Sequence, residues 1–536
     1  MIGIALVLLA CHREPHEPPR ALAFRDVTRA AGITFVHHHG GTGQKLFPET
    51  MGAGCAFLDY DGDDDLDIYL VNGPGAPAAL YQNDGHGKFQ DVTRAAGLGK
   101  PCFGMGCCAA DVDNDGGLDL FLASYGSKTL YRNAGGGRFA DVTAAAGFGD
   151  DSRWATSAAF GDYDNDGYVD LYVCHYVKYD IAHPPTCLGA GGVREYCNPA
   201  DFPSEPDALY RNRGDGTFED VTTRAGIDDR DGRGLGVVFG DPDDDGDQDV
   251  FVANDMSRND YFENSGHGTF SENGLQAGLA YNEGGHVSAG MGTDFGDYDN
   301  DGREDLYVVN FSLETNTLFH NDGGGLFTDR TAELGLAPLT LRPLGFGTLF
   351  FDPDLDGDLD LFTANGHVLD TIESYGKGLT YAQTAQLLEN LDHGAFRDAS
   401  RAAGSWFAQA FVGRGAAAGD FDDDGDEDLL IANCNQAPVL LQNDQTTGRS
   451  WLTVVLVGTH SNRSAIGARV SFRAGGMLHT DTVRAGNSYL SQSDLRLHFG
   501  LGACTKVAGL VVRWPSGAQQ VLAEVALPAR IVVREP

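Results

Sequence analysis

One nine-residue pattern governs this chain: residues 162–170 read D-Y-D-N-D-G-Y-V-D, and the pattern returns from Asp59, Asp111, Asp241, Asp297, Asp352 and Asp420. Every copy has Asp at positions 1, 3, 5 and 9. A hard cation such as Ca²⁺ takes roughly six to eight oxygens, and alternate residues on a tight turn can aim several carboxylates at one point. Six of the seven copies have Gly at position 6, where the chain turns sharply. The first has Asp64 there, a residue type that tolerates the left-handed region. A lone acidic stretch is usually a solvated turn; sevenfold repetition argues against that. An EF-hand loop also begins D-x-D-x-D-G but needs Glu at position 12 and flanking helices. Here position 12 is Leu70, Leu122, Val173, Val252, Val308, Thr363 or Ile431, mostly within strand-like runs. These read as calcium loops inside β-hairpins, up to seven in number.

The candidate ligands are Asp59, Asp61, Asp63, Asp65 and Asp67 in loop one, and Asp111, Asp113, Asp115 and Asp119 in loop two. Loop three offers Asp162, Asp164, Asp166 and Asp170, and loop four Asp241, Asp243, Asp245 and Asp249. Loop five offers Asp297, Asp299, Asp301 and Asp305. Loop six offers Asp352, Asp354, Asp356 and Asp360, and loop seven Asp420, Asp422, Asp424 and Asp428.

The loops are one part of a longer repeat. A small-residue strand precedes each loop and an apolar strand follows it; then comes an L-Y-x-N stretch, as at Leu80-Tyr81-Gln82-Asn83. A glycine-rich turn leads to F-x-D-V-T, and Thr starts a short helical turn closed by Gly, as in residues 93–97. Four short strands in a unit of about 50 residues, repeated, predict an all-β fold, a seven-bladed propeller. Fourth-strand signals fall at Phe24, Phe89, Phe139, Phe218, Phe270, Phe327 and Phe396, so the first precedes every loop and the seventh loop has none after it. One blade must be completed by both ends of the propeller segment, which removes an open edge. Two inserts, residues 174–207 and 366–385, lie between second and third strands, on the face opposite the acidic loops.

The formal charge is −40, yet 42% of the residues are hydrophobic, which argues for a folded chain. The loops hold 37 of the 77 acidic residues and one base, Arg303, leaving 40 acids against 36 bases elsewhere. The acidity is local and suits metal neutralisation; a basic nucleic-acid-binding face has no support. The first ten residues are apolar and too short to span a bilayer. Leu8-Leu9-Ala10-Cys11 resembles a lipobox, so residues 1–11 read as a lipoprotein-type signal segment with Cys11 lipidated. Residues 12–23 read as a Pro-rich tether. The expected location is the cell envelope, lipid-anchored, or outside the cell, with no membrane association beyond the anchor. Export makes a Cys187–Cys197 disulfide plausible, and Cys102 could pair with Cys107 or Cys108.

The repeats G-D-Y-D-N-D-G and L-Y-R-N…F-x-D-V-T resemble the FG-GAP family of integrin-like propellers. After Asn443 the composition changes, and W451-L-T-V-V-L-V-G, N462-R-S-A-I-G-A-R-V, R484-A-G-N-S-Y-L-S-Q-S and V511-V-R-W-P-S-G517 resemble the ASPIC/UnbV domain. The resemblance implies a propeller over residues 24–446, an ASPIC/UnbV domain of small β-sandwich-like form over 447–536, and a secreted calcium-binding protein. It says little about a ligand.

The chain contains no H-E-x-x-H, G-x-S-x-G or P-loop. A sharper set of candidates lies on the insert-bearing face: His37, His38, His175, His286 and His367, with Asn72, Asn254, Asp255, Asn310 and Asn365 at second-strand ends. The bland alternative is that the asparagines cap turns and the histidines are scattered. The reading is a binding or adhesion module for protein or glycan. An enzyme acting on a polymer would instead need a constellation converging on His37, His286 and His367; a purely structural assembly module is the third reading.

Overall fold

The computed structural model describes residues 22–149, 151–227, 230–391, 394–444 and 448–536. Cys11 and nearly all of the tether lie outside the described residues. Seven four-stranded antiparallel sheets form the propeller, each with its strands in up-and-down order. The first runs Cys55–Leu58, Asp67–Leu70, Ala79–Asn83, Phe89–Asp91, and the next five follow the same plan. In each pair of inner strands the register places the position-9 aspartate at the start of the second strand, as in Leu58↔Asp67 and Gly161↔Asp170. The first strands contact one another around a closed ring, from Cys55–Leu58 through to Gly413–Gly419 and back.

The seventh blade joins the two ends of the propeller segment. Phe24–Asp26 pairs with Val439–Asn443 in the register Phe24↔Asn443, and Arg25 Nε donates to Asp444 at 2.8 Å. Truncating the chain to begin at Val27 exposes the edge of Val439–Asn443 and is expected to cause self-association. Size-exclusion light scattering checks this: a truncated chain that stays monomeric and equally stable contradicts the role assigned to that strand.

The C-terminal segment forms two sheets around one core. Leu497–Gly500, Trp451–Val457 and Ala529–Arg534 make the first; Met477–Thr482, Arg469–Ala474, Lys506–Arg513 and Gln519–Ala526 make the second. Leu452, Val454, Val470, Phe472, Phe499, Leu510, Val512 and Trp514 fill the space between them. The small sandwich expected from the sequence is present.

The sequence did not foretell where this sandwich sits: it covers the acidic-loop face. Arg530 reaches Asp64 and Asp423, Arg513 lies 2.8 Å from Asp241, and Arg449 lies 2.8 Å from Asp354. Ser464 accepts from the Asp111 amide, Arg469 donates to the Gly302 carbonyl, and His498 Nε2 lies 2.9 Å from the Gly425 carbonyl. Arginines of the chain itself therefore share in neutralising the acidic face.

Between Thr482 and Leu497 the sandwich sends a peg, residues 485–494, into the propeller channel. Ser488 exchanges two backbone hydrogen bonds with Thr293, and Gln492 bonds to Cys55 and Phe57. Leu490 accepts from Cys107, Ala485 from Phe160, and the Asp494 amide donates to Ala418. Inner strands would otherwise present unpaired N–H and C=O groups to the channel, and the peg satisfies them. Such an approach needs bare backbone: a Cβ on Gly54 would meet the Leu490 carbonyl oxygen at 2.1 Å, and one on Gly415 would meet Ser491 Oγ at 2.3 Å. Tyr489, fully buried, packs its ring 4.8 Å from Phe346 and donates to the Met51 carbonyl at 3.0 Å. Met51 ends the short helix Phe47–Thr50, which closes the other mouth of the channel with Phe47 among Trp154, Tyr176, Tyr179 and Phe202.

Candidate functional site

Each acidic loop is shaped by its own first and last carboxylates. Asp111 Oδ1 accepts from the Asp115 amide at 3.0 Å and Oδ2 from Gly116 at 2.7 Å, and loops three to seven repeat this. Asp119 accepts from the Val112 and Asn133 amides. The turn needs two left-handed residues. One is position 6, including Asp64 with φ 72°; the other is position 4, held by Gly62, Asn114, Asn165, Asp244, Asn300, Leu355 and Asp423. The second requirement was visible in the sequence as a run of Asn, Asp and Gly, broken only by Leu355.

The folded loops bring the carboxylates together. Ligand-type atoms of Asp59, Asp61 and Asp67 lie within 4.8 Å of one another, as do those of Asp111, Asp113 and Asp115, of Asp162, Asp164 and Asp170, and of Asp241, Asp243 and Asp245. Loop five joins Asp299 and Asp305 with His320, which sequence reasoning did not single out. Burial pushes Asp67 up to about 8, and burial with neighbouring carboxylates raises Asp162 to about 7, Asp297 to about 8 and Asp420 to about 7. Oδ1 of Asp61, Asp113, Asp164 and Asp422 is buried and accepts no hydrogen bond from the described residues. A bare buried carboxylate oxygen among raised carboxylates is costly unless a cation meets it, so the donor set fits a hard divalent ion.

The asparagine of the third-strand signature links these loops around the ring. Asn133 Nδ2 donates to the Tyr60 carbonyl at 2.7 Å, in the preceding blade's loop, and Asn212, Asn264, Asn321, Asn390 and Asn443 do the same one blade back. Asn83 closes the circuit on Phe421 at 2.8 Å.

On the opposite face the two inserts meet. Cys187 and Cys197 are disulfide-bonded across the hairpin of Cys187–Leu188 and Arg194–Glu195. Tyr375 Oη donates to Glu195 Oε2 at 2.5 Å, and Thr371 also reaches Glu195. Tyr196 Oη donates to Glu49, and Lys45 pairs with Asp370. Arg414, fully buried and absent from the sequence expectations, fastens this face: its guanidinium donates to the carbonyls of Thr50, Gly366 and Gly413 and lies 3.9 Å over the Phe346 ring.

The expected ligand residues divide sharply. Asn72, Asn254, Asn310 and Asn365 are buried, and their amides close turns by donating to Pro77, Arg258, Thr315 and Thr384. Asp255 is buried and accepts from Tyr176. His37 and His367 are buried on either side of Arg414, each accepting a backbone N–H at Nδ1. Burial lowers His37 to about 3 and His367 to about 4, so both are neutral. His175 is buried beside Asp151, while His38 is exposed, and His286 lies in a separate exposed turn closed by Asn282. His37, His286 and His367 therefore do not converge as an active site would require. Cys102, Cys107 and Cys108 are free thiols, so the possible second bridge is not formed.

A groove of about 800 Å³ runs along the second insert. Thr380, Gln383, Thr384, Ser400, Arg401 and Ser405 are among its lining residues, as is Arg342, which donates to the Gly378 carbonyl at 2.7 Å.

Residues 458–536 match the family model described as ASPIC and UnbV, and residues 59–122, 111–173, 241–308 and 297–363 match the FG-GAP-like repeat model. The chain is an FG-GAP-like repeat protein with a C-terminal ASPIC and UnbV domain. Cartilage acidic protein 1 of Mus musculus is 24% identical over 497 residues, spanning 88% of this chain and 71% of that protein. The Homo sapiens protein of that name is 25% identical over 497 residues, spanning 88% and 70%. Among solved structures, an Agrocybe aegerita lectin that recognises non-reducing terminal N-acetylglucosamine aligns with TM-score 0.41 and 16% identity over 72% of this chain and 87% of that one. The BP39L lectin of Burkholderia pseudomallei aligns with TM-score 0.43 and 11% identity over 73% and 96%. Acidic loops one to six fall within the matched repeats, loop seven lies beyond them, and the peg lies within the ASPIC and UnbV match.

Proposed function

We propose that this is an exported calcium-binding protein, lipid-anchored through Cys11, whose metal-clamped propeller presents a ligand site on the insert-bearing face. Calcium occupies the acidic loops and supports binding through order, without touching the ligand. The ligand is a protein or glycan of the cell surface. The observation that carries this reading is the division of faces. One face is occupied by the chain's own C-terminal sandwich, while the other carries two interlocked inserts and a groove of about 800 Å³, within the usual range for ligand sites. Loops on a rigid scaffold are the common place for such sites.

Thr384 and Ser405 are exposed residues lining the groove. Filling it with Thr384→Trp and Ser405→Trp is expected to abolish binding on a glycan array or to purified cell-surface proteins, with Tm and calcium stoichiometry unchanged. Retained binding in the filled variant places the ligand elsewhere.

A further inference from the structure

We infer that in loops one, two, three and seven the side chain preceding the third-strand asparagine holds the position-3 carboxylate of the acidic loop beside it, and that its charge ranks these four loops in cation affinity. The inference rests on the calcium reading above. In loop one, Gln82 Nε2 donates to Asp61 Oδ2 at 2.6 Å, and in loop seven Gln442 does the same to Asp422 Oδ2. The same strand position in loops two and three holds arginine: Arg132 pairs with Asp113, and Arg211 Nε lies 2.6 Å from Asp164 Oδ2. In loop five it is His320, whose Nδ1 lies nearer the position-9 Asp305, at 3.1 Å, than Asp299 Oδ2, at 3.5 Å, so loop five departs from the pattern. Asp61, Asp113, Asp164 and Asp422 thus share one arrangement, with Oδ2 held from the third strand and Oδ1 buried and bare.

Loop six shows that a partner at this carboxylate is retained when the strand cannot supply one. Glu389 has no proton to donate, and Arg449, from beyond the propeller, lies 2.8 Å from Asp354 Oδ1. Orientation of the carboxylate is therefore common to loops one, two, three and seven, while charge is not. A glutamine amide leaves the loop's negative charge intact; a guanidinium cancels one unit of it. A unit charge about 6 Å from a divalent ion changes its binding by about tenfold even in water-like surroundings. Loops two and three should bind more weakly than loops one and seven.

The test is calcium titration of the full-length protein by calorimetry against a competing chelator, with melting followed in calcium and in EDTA. The double variant Arg132→Gln, Arg211→Gln installs the residue that loops one and seven already use. It is expected to tighten two sites about tenfold, lower Tm in EDTA where the arginines offset carboxylate repulsion, and enlarge the rise in Tm on adding calcium. The reciprocal variant Gln82→Arg, Gln442→Arg should weaken two sites by a similar factor. Arginines with a merely structural role would lower Tm equally in both conditions. Calcium binding with affinities unchanged in both variants overturns the inference and leaves the calcium reading standing. A wild-type protein that binds no calcium removes the calcium reading, and this inference with it.

Discussion

In EDTA the protein is expected to melt roughly 3 to 9 °C lower than in about 1 mM calcium. Sites of extracellular-type affinity contribute about 0.4 to 1.4 kcal/mol each at that concentration, or about 3 to 10 kcal/mol for seven independent sites. For a chain of this size that spread converts to the stated shift. Without a cation, carboxylates about 4 Å apart repel by about 1 kcal/mol in water and about 4 kcal/mol at a protein-like dielectric. The pH dependence in EDTA has a definite sign. Asp67, Asp162, Asp297 and Asp420 are raised to about 8, 7, 8 and 7, so the folded state holds protons that the unfolded state has released. Their contribution is lost progressively from about pH 4, the unfolded value, to the folded values near 8. Above about pH 6.5 no histidine opposes it, so between about pH 6.5 and 8 the metal-free protein should show a net loss of stability. Below that window the buried histidines act oppositely: His37, His367 and His498 are lowered to about 3, 4 and 4 and must charge on unfolding. Calcium should abolish the loss between pH 6.5 and 8. Differential scanning calorimetry in both media checks this, and an identical Tm with and without EDTA at pH 7.5 rejects the calcium assignment.

Tyr489→Ala is expected to destabilise the protein by about 3 to 5 kcal/mol, the usual cost of emptying a fully buried aromatic site. The ring is buried in a cluster with Phe346, Met51 and Met105. Tyr489→Phe keeps the ring and loses only the hydrogen bond to Met51, for about 1 to 3 kcal/mol, since the carbonyl is left buried. Chemical denaturation of the two variants separates packing from hydrogen bonding. Equal, small losses in both would mean that the peg merely lies in the channel without stabilising it.

The parts of this architecture that repeat were readable because each rests on a short-range pattern. Carboxylate spacing set the loops, Leu80-Tyr81-Gln82-Asn83 and its copies marked third strands, and Phe24 without a partner nearby implied a blade shared by both ends. Asn133 and its equivalents were seen as signatures but not as ties to the preceding blade, because a side-chain bond across blades leaves no periodic trace. Asn72, Asn254, Asn310 and Asn365 looked like a polar surface and are internal turn closures. The residues 484–493 that carry the family resemblance read as a loop, which locally they are; their partners are Cys55, Thr293 and Ala418, hundreds of residues away in some cases. Arg414 offered no signal, since its partners are backbone carbonyls.

The peg also imposes an order of events in time. Residues 485–494 leave the ribosome after every strand of the propeller, yet they bond to a strand that begins at Cys55. Until they emerge, inner strands that later accept Ser488, Leu490 and Gln492 face a hollow axis with only water to satisfy them. The ring made first thus waits for a segment made after it. A chain that stops before residue 484 is therefore expected to behave as an arrested assembly stage, with unpaired inner-strand groups that favour association.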